Sequence, residues 1–309
     1  MNAPRRLRPG DLVEVRTPEE ILRTLDGGGA FDHLPFMPEM VALCGRRFRV
    51  LRRVVKTCYS GPNLYAEMRR FRGDDVLVLD APRCSGDAHD GCQKGCAILW
   101  REAWLRRVRS DDDPADARPG AREELHARLK TRVDPTTYFC QASELLKATL
   151  PVSRREQFRL CRAEIRAGNC SALQMAGRLA IWVFWRVRRR LLGEYAAGPG
   201  TVKSLEALAL RPGESVRVKP IGEIRGTTTA SGHNRGLYFS ADLSHACGRQ
   251  YRVRDRLERI IADGTGQMKL MRNTVTLDDS VCGCPYINVG GCSRFELTYW
   301  REDWLRRTP

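Results

Sequence analysis

Leu7-Arg8-Pro9-Gly10-Asp11-Leu12-Val13-Glu14-Val15-Arg16 returns 203 residues later as Leu210-Arg211-Pro212-Gly213-Glu214-Ser215-Val216-Arg217-Val218-Lys219. The first four residues are identical, and Val13 and Val15 fall on Val216 and Val218. Without a gap, Glu20-Ile21 then falls on Glu223-Ile224, Cys44-Gly45 on Cys247-Gly248, and Phe48-Arg49-Val50 on Tyr251-Arg252-Val253. A last block, Trp100-Arg101-Glu102-Ala103-Trp104-Leu105-Arg106-Arg107, matches Trp300-Arg301-Glu302-Asp303-Trp304-Leu305-Arg306-Arg307 at a shift of 200, with seven of eight residues identical. Self-similarity at a fixed spacing marks a duplicated structural unit. The chain is read as two copies of one module, 7–107 and 210–307, around a central insert.

Each copy opens with Pro-Gly and an alternating run, Asp11 to Arg16 and Glu214 to Lys219, which puts the valines on one face of a strand. Further strands are expected at Arg47–Val54, Val76–Leu79, Tyr251–Val253 and Val275–Leu277. Thr17-Pro18-Glu19-Glu20 is a helix start, with a capping hydroxyl, proline at the first helical position and early acids. The helix is expected to run through Leu25 and to stop at Gly27-Gly28-Gly29. Short strands and polar turns in so small a module predict a small antiparallel barrel, and the Pro-Gly-Asp-x-Val-x-Val opening resembles the first strand of SH3-like barrels, the ribosome-associated kind included. The fold class expected is α+β: two repeated SH3-like modules joined by a helical insert.

Composition shifts divide the chain into a first cysteine-rich module at 1–109, an acidic Pro/Gly-punctuated linker at 110–120, a helical insert at 121–195, a second linker at 196–206 and a second module at 207–309. In the insert, Ala121–Lys130 is helix-prone, Ser153 caps a helix that Gly168 ends near Ala167, and Ser171 caps an apolar helix through Leu192. Its most apolar run, Leu179–Trp185, is far shorter than the roughly 18 residues a membrane span requires, so no transmembrane segment is expected. Arginines at 178, 186, 188, 189 and 190 flank it. A buried helix with a cationic end is the plainer reading of 178–190; peripheral contact with an anionic membrane surface, or with a partner, is the other.

The 309 residues carry 53 basic and 37 acidic side chains, a net +16, and 42% are apolar, which excludes a disordered or collagen-like chain. The excess is nearly all arginine. It attracts polyanions, so nucleic acid stays open as a partner, although no nucleic-acid reading motif accompanies it. The N-terminal charges lack an apolar run behind them and do not read as a secretory signal, which places the protein in the cytoplasm and its twelve cysteines among reduced thiols rather than disulfides.

Three cysteines recur at matched places. Cys84 and Cys92 stand eight apart and eight before Trp100; Cys284 and Cys292 stand eight apart and eight before Trp300; Cys44 superimposes on Cys247. Each module adds a fourth, Cys96 in the first and Cys282 in the second. Counting forward from Leu79-Asp80 and Leu277-Asp278 would pair Cys84 with Cys282 instead, so the alignment is ambiguous there by two residues. Four thiolates are what a closed zinc site takes and equally what an iron–sulfur cluster takes. The expected metal ligands are Cys44, Cys84, Cys92 and Cys96, with Cys247, Cys282, Cys284 and Cys292 in the second module. The cofactor is undecided between iron–sulfur cluster and zinc, because ligand type alone does not separate them. The competing reading is that both copies keep the same small core thiols. Cys58, Cys140, Cys161 and Cys170 have no partner in the repeat; Cys140, Cys161 and Cys170, in the helical insert, read as core, with a further site or a nucleophile as the alternative.

No catalytic constellation is present, and no catalytic residue is assigned. The five histidines show no ligand pairing. His89, inside the cysteine loop, is open to a role as ligand or proton donor, a surface position being the plainer reading; His245 lies two before Cys247. Glu102 and Glu302 read as solvated, and the Trp100/Trp104 and Trp300/Trp304 pairs as core, with base stacking the alternative. The Pro-Gly-Asp opening, Leu34–Met40, Cys44–Val50, the cysteine loop and Trp100–Leu105 together resemble a bacterial family, of no established activity, of duplicated cysteine-rich modules found among biosynthetic genes. The resemblance covers most of the chain and implies a bacterial, cytoplasmic, biosynthetic setting. Two functions follow as expectations: a metalloprotein with one thiolate site per module, enzyme or accessory, or a nucleic-acid- or ribosome-associated protein with structural zinc.

Overall fold

The computed structural model describes residues 6–60, 66–113, 115–200, 207–282, 289–291 and 293–308. The chain is α+β, with several small antiparallel sheets. Two compact units emerge: Met1–Met175 with Ile261–Lys269 and Cys292–Arg294, and Ala176–Ile260 with Leu270–Gly291 and Phe295–Pro309. Residues 121–175 of the expected insert therefore fall in the first unit and 176–195 in the second.

In the first module five strands pair in the order Leu99–Arg101, Val76–Leu79, Arg47–Arg53, Leu12–Val15, Leu105–Arg107. The second repeats that order as Trp300–Arg301, Met268–Leu277, Gln250–Ile261, Ser215–Val218, Leu305–Arg307. Register is repeated too. Leu12 faces Arg49 as Ser215 faces Arg252, and Val13 faces Arg107 as Val216 faces Arg307. The two end strands of each sheet are consecutive in sequence, separated only by the 3-10 turn Glu102–Trp104 or Glu302–Trp304. So short a link obliges the sheet to curl until its ends approach. Among the described residues those ends do not pair, and no closed barrel forms.

The alternating valines explain the inner face: Val13, Val15, Val216 and Val218 are fully buried. All four tryptophans of the repeated blocks have no exposed surface, which gives them to the core and removes them as a stacking platform. Phe36 stands edge-on to Trp100 and Trp104, with ring centroids 6.3 and 5.2 Å away; Phe239 repeats this against Trp300 and Trp304 at 6.1 and 5.1 Å. Edge-to-face rings add to area burial by aligning ring quadrupoles. Glu102 and Glu302 are not solvated faces. Glu102 accepts from the Leu7 amide at 2.6 Å and pairs with Arg53 at 3.1 Å, while Glu302 accepts from the Leu210 amide at 3.0 Å and from Arg256 at 2.6 Å. Each carboxylate ties the start of its module to the last turn.

Thr17 and Glu20 form a capping box at the expected helix start, and the helix Pro18–Leu22 ends sooner than Leu25. The insert is joined to the first module by hydrogen bonds. Thr149–Pro151 pairs with Ala66–Phe71, which pairs with Thr57–Ser60, and the Asn169 amide brackets the Arg53 backbone with bonds of 3.0 and 2.8 Å. Ser153 caps the helix Arg154–Arg166 and Gly168, at φ +79°, follows its end. The helix Ala172–Leu192 is not the buried helix favoured by its composition: Met175 is its one buried residue, and Phe184 and Leu191 are 61% and 76% exposed. No helix among the described residues is long and apolar enough to cross a membrane.

Candidate metal centre

Between the strands Val76–Leu79 and Leu99–Arg101 the chain makes a loop folded tightly on itself. The Cys84 amide donates to the Cys96 carbonyl at 2.9 Å, and the Cys92 amide to the His89 carbonyl at 3.1 Å. Both Gly91 and His89 donate their amides to the Gly86 carbonyl, at 3.1 and 2.9 Å. Gly86 adopts φ +74°, and a Cβ there would lie 2.0 Å from the Cys92 carbonyl oxygen. Only glycine fits so close an approach. The hydrogen bonds bring residues 84, 92 and 96 to one side of the loop.

A fourth thiol arrives from the insert. Cys84, Cys92, Cys96 and Cys140 line one small cavity of about 20 Å³, with Met37, Ile261 and the Lys94 and His89 side chains. Cys140 is held by a short turn, in which its amide donates to Ser143 Oγ at 2.9 Å and its carbonyl accepts from the Glu144 amide at 3.0 Å. The Ile261 amide donates to Cys92 Sγ at 3.3 Å.

The electrostatics of this cavity are those of crowded, dry thiols. Burial pushes the Cys84 thiol up, and Glu39, Cys140 and Cys92 push it further. Burial likewise raises Cys140, against the pull of Lys94. A bound cation would reverse these shifts, since it is the largest local charge in any site it occupies. Among the described residues no three His, Cys, Asp or Glu side chains already converge as an ion-holding group.

Two buried ion pairs border the cavity. His89, 1% exposed and so not a surface residue, places Nδ1 2.7 Å from Glu39 and Nε2 3.1 Å from the Phe139 carbonyl. Burial disfavours its charged ring, but the two acceptors outweigh burial and raise its pKa. Their positions leave neither ring nitrogen aimed at the cavity as a ligand. Asp263 receives Lys94 and a bidentate Arg294, both of whose bonds measure 2.9 Å. Burial opposes the Asp263 charge, and the two cations hold its carboxyl far below the usual range.

The remaining expected ligands are elsewhere. Cys44 is buried but does not line the cavity; its carbonyl accepts from Arg122 at 2.9 Å, and burial pushes its thiol up to about 12. The repeat detected a core position there. Cys247, its counterpart, is half-buried in the second unit near Tyr195 and Tyr251. The Cys282 amide donates to the Glu296 carbonyl at 2.8 Å, and Cys284 and Cys292 lie outside the described residues. Cys58, Cys161 and Cys170 are buried, as core thiols should be. Cys140 is buried in the core with them, and it also lines the cavity. Its sequence signal was absent, because it lies outside the repeat that singled out the others.

Comparison with family models, curated proteins and solved structures finds no match for this chain.

Proposed function

We propose that the first unit is a thiolate metal module in which Cys84, Cys92, Cys96 and Cys140 hold an iron–sulfur cluster. The observation that carries this reading is the shared cavity: three cysteines of one glycine-shaped loop and one from a separate segment line the same small space. A lone zinc ion, with four sulfurs about 2.3 Å from a single point, is the alternative. Cluster ligands bind separate irons and stand wider apart. When bound, a cluster with all four positions filled by thiolate supplies electron transfer. The chain's own contribution is exclusion of water by Met37 and Ile261, N–H donation to Cys92, and the cationic Lys94 near Cys140.

The curled five-stranded sheet, with its 3-10 turn between the last two strands, supports assigning both modules to the SH3-like class as their framework. A cytoplasmic role beside a bacterial biosynthetic pathway, as an accessory electron carrier, accords with the family resemblance and with ten described cysteines that form no disulfide.

Anaerobic purification followed by iron, sulfide and zinc analysis and a visible spectrum tests this. Brown protein with matched iron and sulfide, lost in Cys84→Ser and Cys140→Ser but kept in Cys44→Ser, is the expected result. Colourless protein with stoichiometric zinc overturns the cluster, and metal-free protein overturns the site.

A further inference from the structure

The first unit carries a second concavity, remote in chemistry from the thiols. It is an open groove of about 1020 Å³ between the helix Arg154–Arg166 and the segment 70–74, with further walls from residues 6–8 and 53–55. Eight arginines line it against two carboxylates, Asp74 and Glu156. Both carboxylates are engaged already, Asp74 by Arg6 and Glu156 by Arg70 at 2.8 Å. Arg72, Arg155, Arg159 and Arg166 are exposed and have no carboxylate partner among the described residues.

Position along the helix makes these charges a row. Arg155, Arg159 and Arg166 are spaced by four and seven residues, which places them on one helical face. At 1.5 Å per residue the row extends roughly 16 Å. A concave row of cations of that length suits the backbone of one extended nucleic-acid strand. A flat lipid surface cannot enter a concavity, and a small anion would not use a row of separated cations. Phe71, the aromatic residue of the lining, is 2% exposed, so no ring is offered for base stacking. Contacts would be to phosphates, which position a strand without reading its sequence.

We propose that this groove binds the phosphate backbone of a single-stranded nucleic acid, independently of sequence. Guanidinium forks suit phosphate oxygens, and the unpaired arginines are neutralised only when such a ligand arrives. The site does not depend on the thiol cavity.

The test uses the full chain and fluorescein-labelled 20-nucleotide single-stranded RNA, followed by fluorescence anisotropy across a salt series. The triple variant Arg155→Glu, Arg159→Glu, Arg166→Glu is compared with a charge-matched control, Arg217→Glu, Arg249→Glu, Arg252→Glu, whose exposed arginines lie in the other unit. The groove triple is expected to lose at least tenfold in affinity and to lower the slope of log K against log salt by about 2, three phosphate contacts at 0.7 each. The control should keep both within twofold. Arg→Gln changes at the same three groove positions should weaken binding less and in the same direction, which guards against a folding defect. Equal losses in groove and control triples would reduce the effect to net charge and overturn the proposal. So would wild-type protein that ignores RNA, or that binds phosphatidylserine vesicles in its place.

Discussion

Cys84 and Cys282 occupy one structural position: each donates its backbone amide to the residue that closes its loop, Cys96 at 2.9 Å in the first module and Glu296 at 2.8 Å in the second. This equivalence follows the strand count and not the even spacing of cysteines from the tryptophans. It puts Glu296 where the first module has Cys96. Cys140 belongs to the segment between the modules, so the repeat supplies no counterpart to it either. Two of the four cavity thiols are thus peculiar to the first module.

One cluster per chain, not one per module, is the expected stoichiometry. Cys84→Ser should abolish iron binding and Cys282→Ser should leave iron per chain unchanged, both measured on anaerobically purified protein. Two clusters per chain, or equal losses from the two variants, would refute the assignment of a single site.

Gly86→Ala should be far more damaging than its size suggests. Its Cβ would meet the Cys92 carbonyl at 2.0 Å on a backbone already at φ +74°. Gly91→Ala shares a positive φ of 68° but meets nothing within 4 Å, so it should cost only about 1 kcal/mol, the backbone penalty by itself. Chemical denaturation and metal content read together should show Gly86→Ala losing the site and Gly91→Ala retaining it.

Much of this architecture is written in local pattern. Alternating valines dictated the strand, Thr17 with Glu20 the helix start, and the matched tryptophans a core that Phe36 and Phe239 complete in the same way. The site was half legible. A repeat reports whatever both copies retain, so it flagged the buried Cys44 and the half-buried Cys247 together with Cys84 and Cys92. It was silent on Cys140, which reaches the cavity through packing of the insert on the module, a long-range event with no local signature. Burial of His89 was equally hidden, because its partner Glu39 is 50 residues away.

Asp263 is expected to be a point of failure for the first unit. It lies between Lys94 and Arg294, and Arg294 also donates to the Cys58 carbonyl at 2.9 Å. Asp263→Asn removes the anion that two buried cations share, a change that costs about 3–5 kcal/mol. Urea denaturation should show that loss, and Lys94→Met added to Asp263→Asn should recover part of it. A neutral effect of Asp263→Asn would mean that these charges are hydrated.

Glu14 makes the stability of the first sheet dependent on acid. It is fully buried on the strand Leu12–Val15, yet accepts from Arg47 at 3.1 Å, Arg106 at 2.5 Å and the Ala115 amide at 3.1 Å. Burial works against its charge, and the three donors outweigh burial and lower its pKa from the ordinary 4.5. A carboxyl with a lowered folded pKa binds protons more weakly than in the unfolded chain. Its stabilisation is therefore complete above the unfolded value and drains away as pH falls through the folded one. Glu14→Gln should be less stable than wild type at neutral pH, and the gap should narrow steadily below about pH 4.5. Thermal melts of both proteins from neutral to acid pH would show it, and a gap that stayed constant or widened in acid would mean that Glu14 contributes through shape and not through charge.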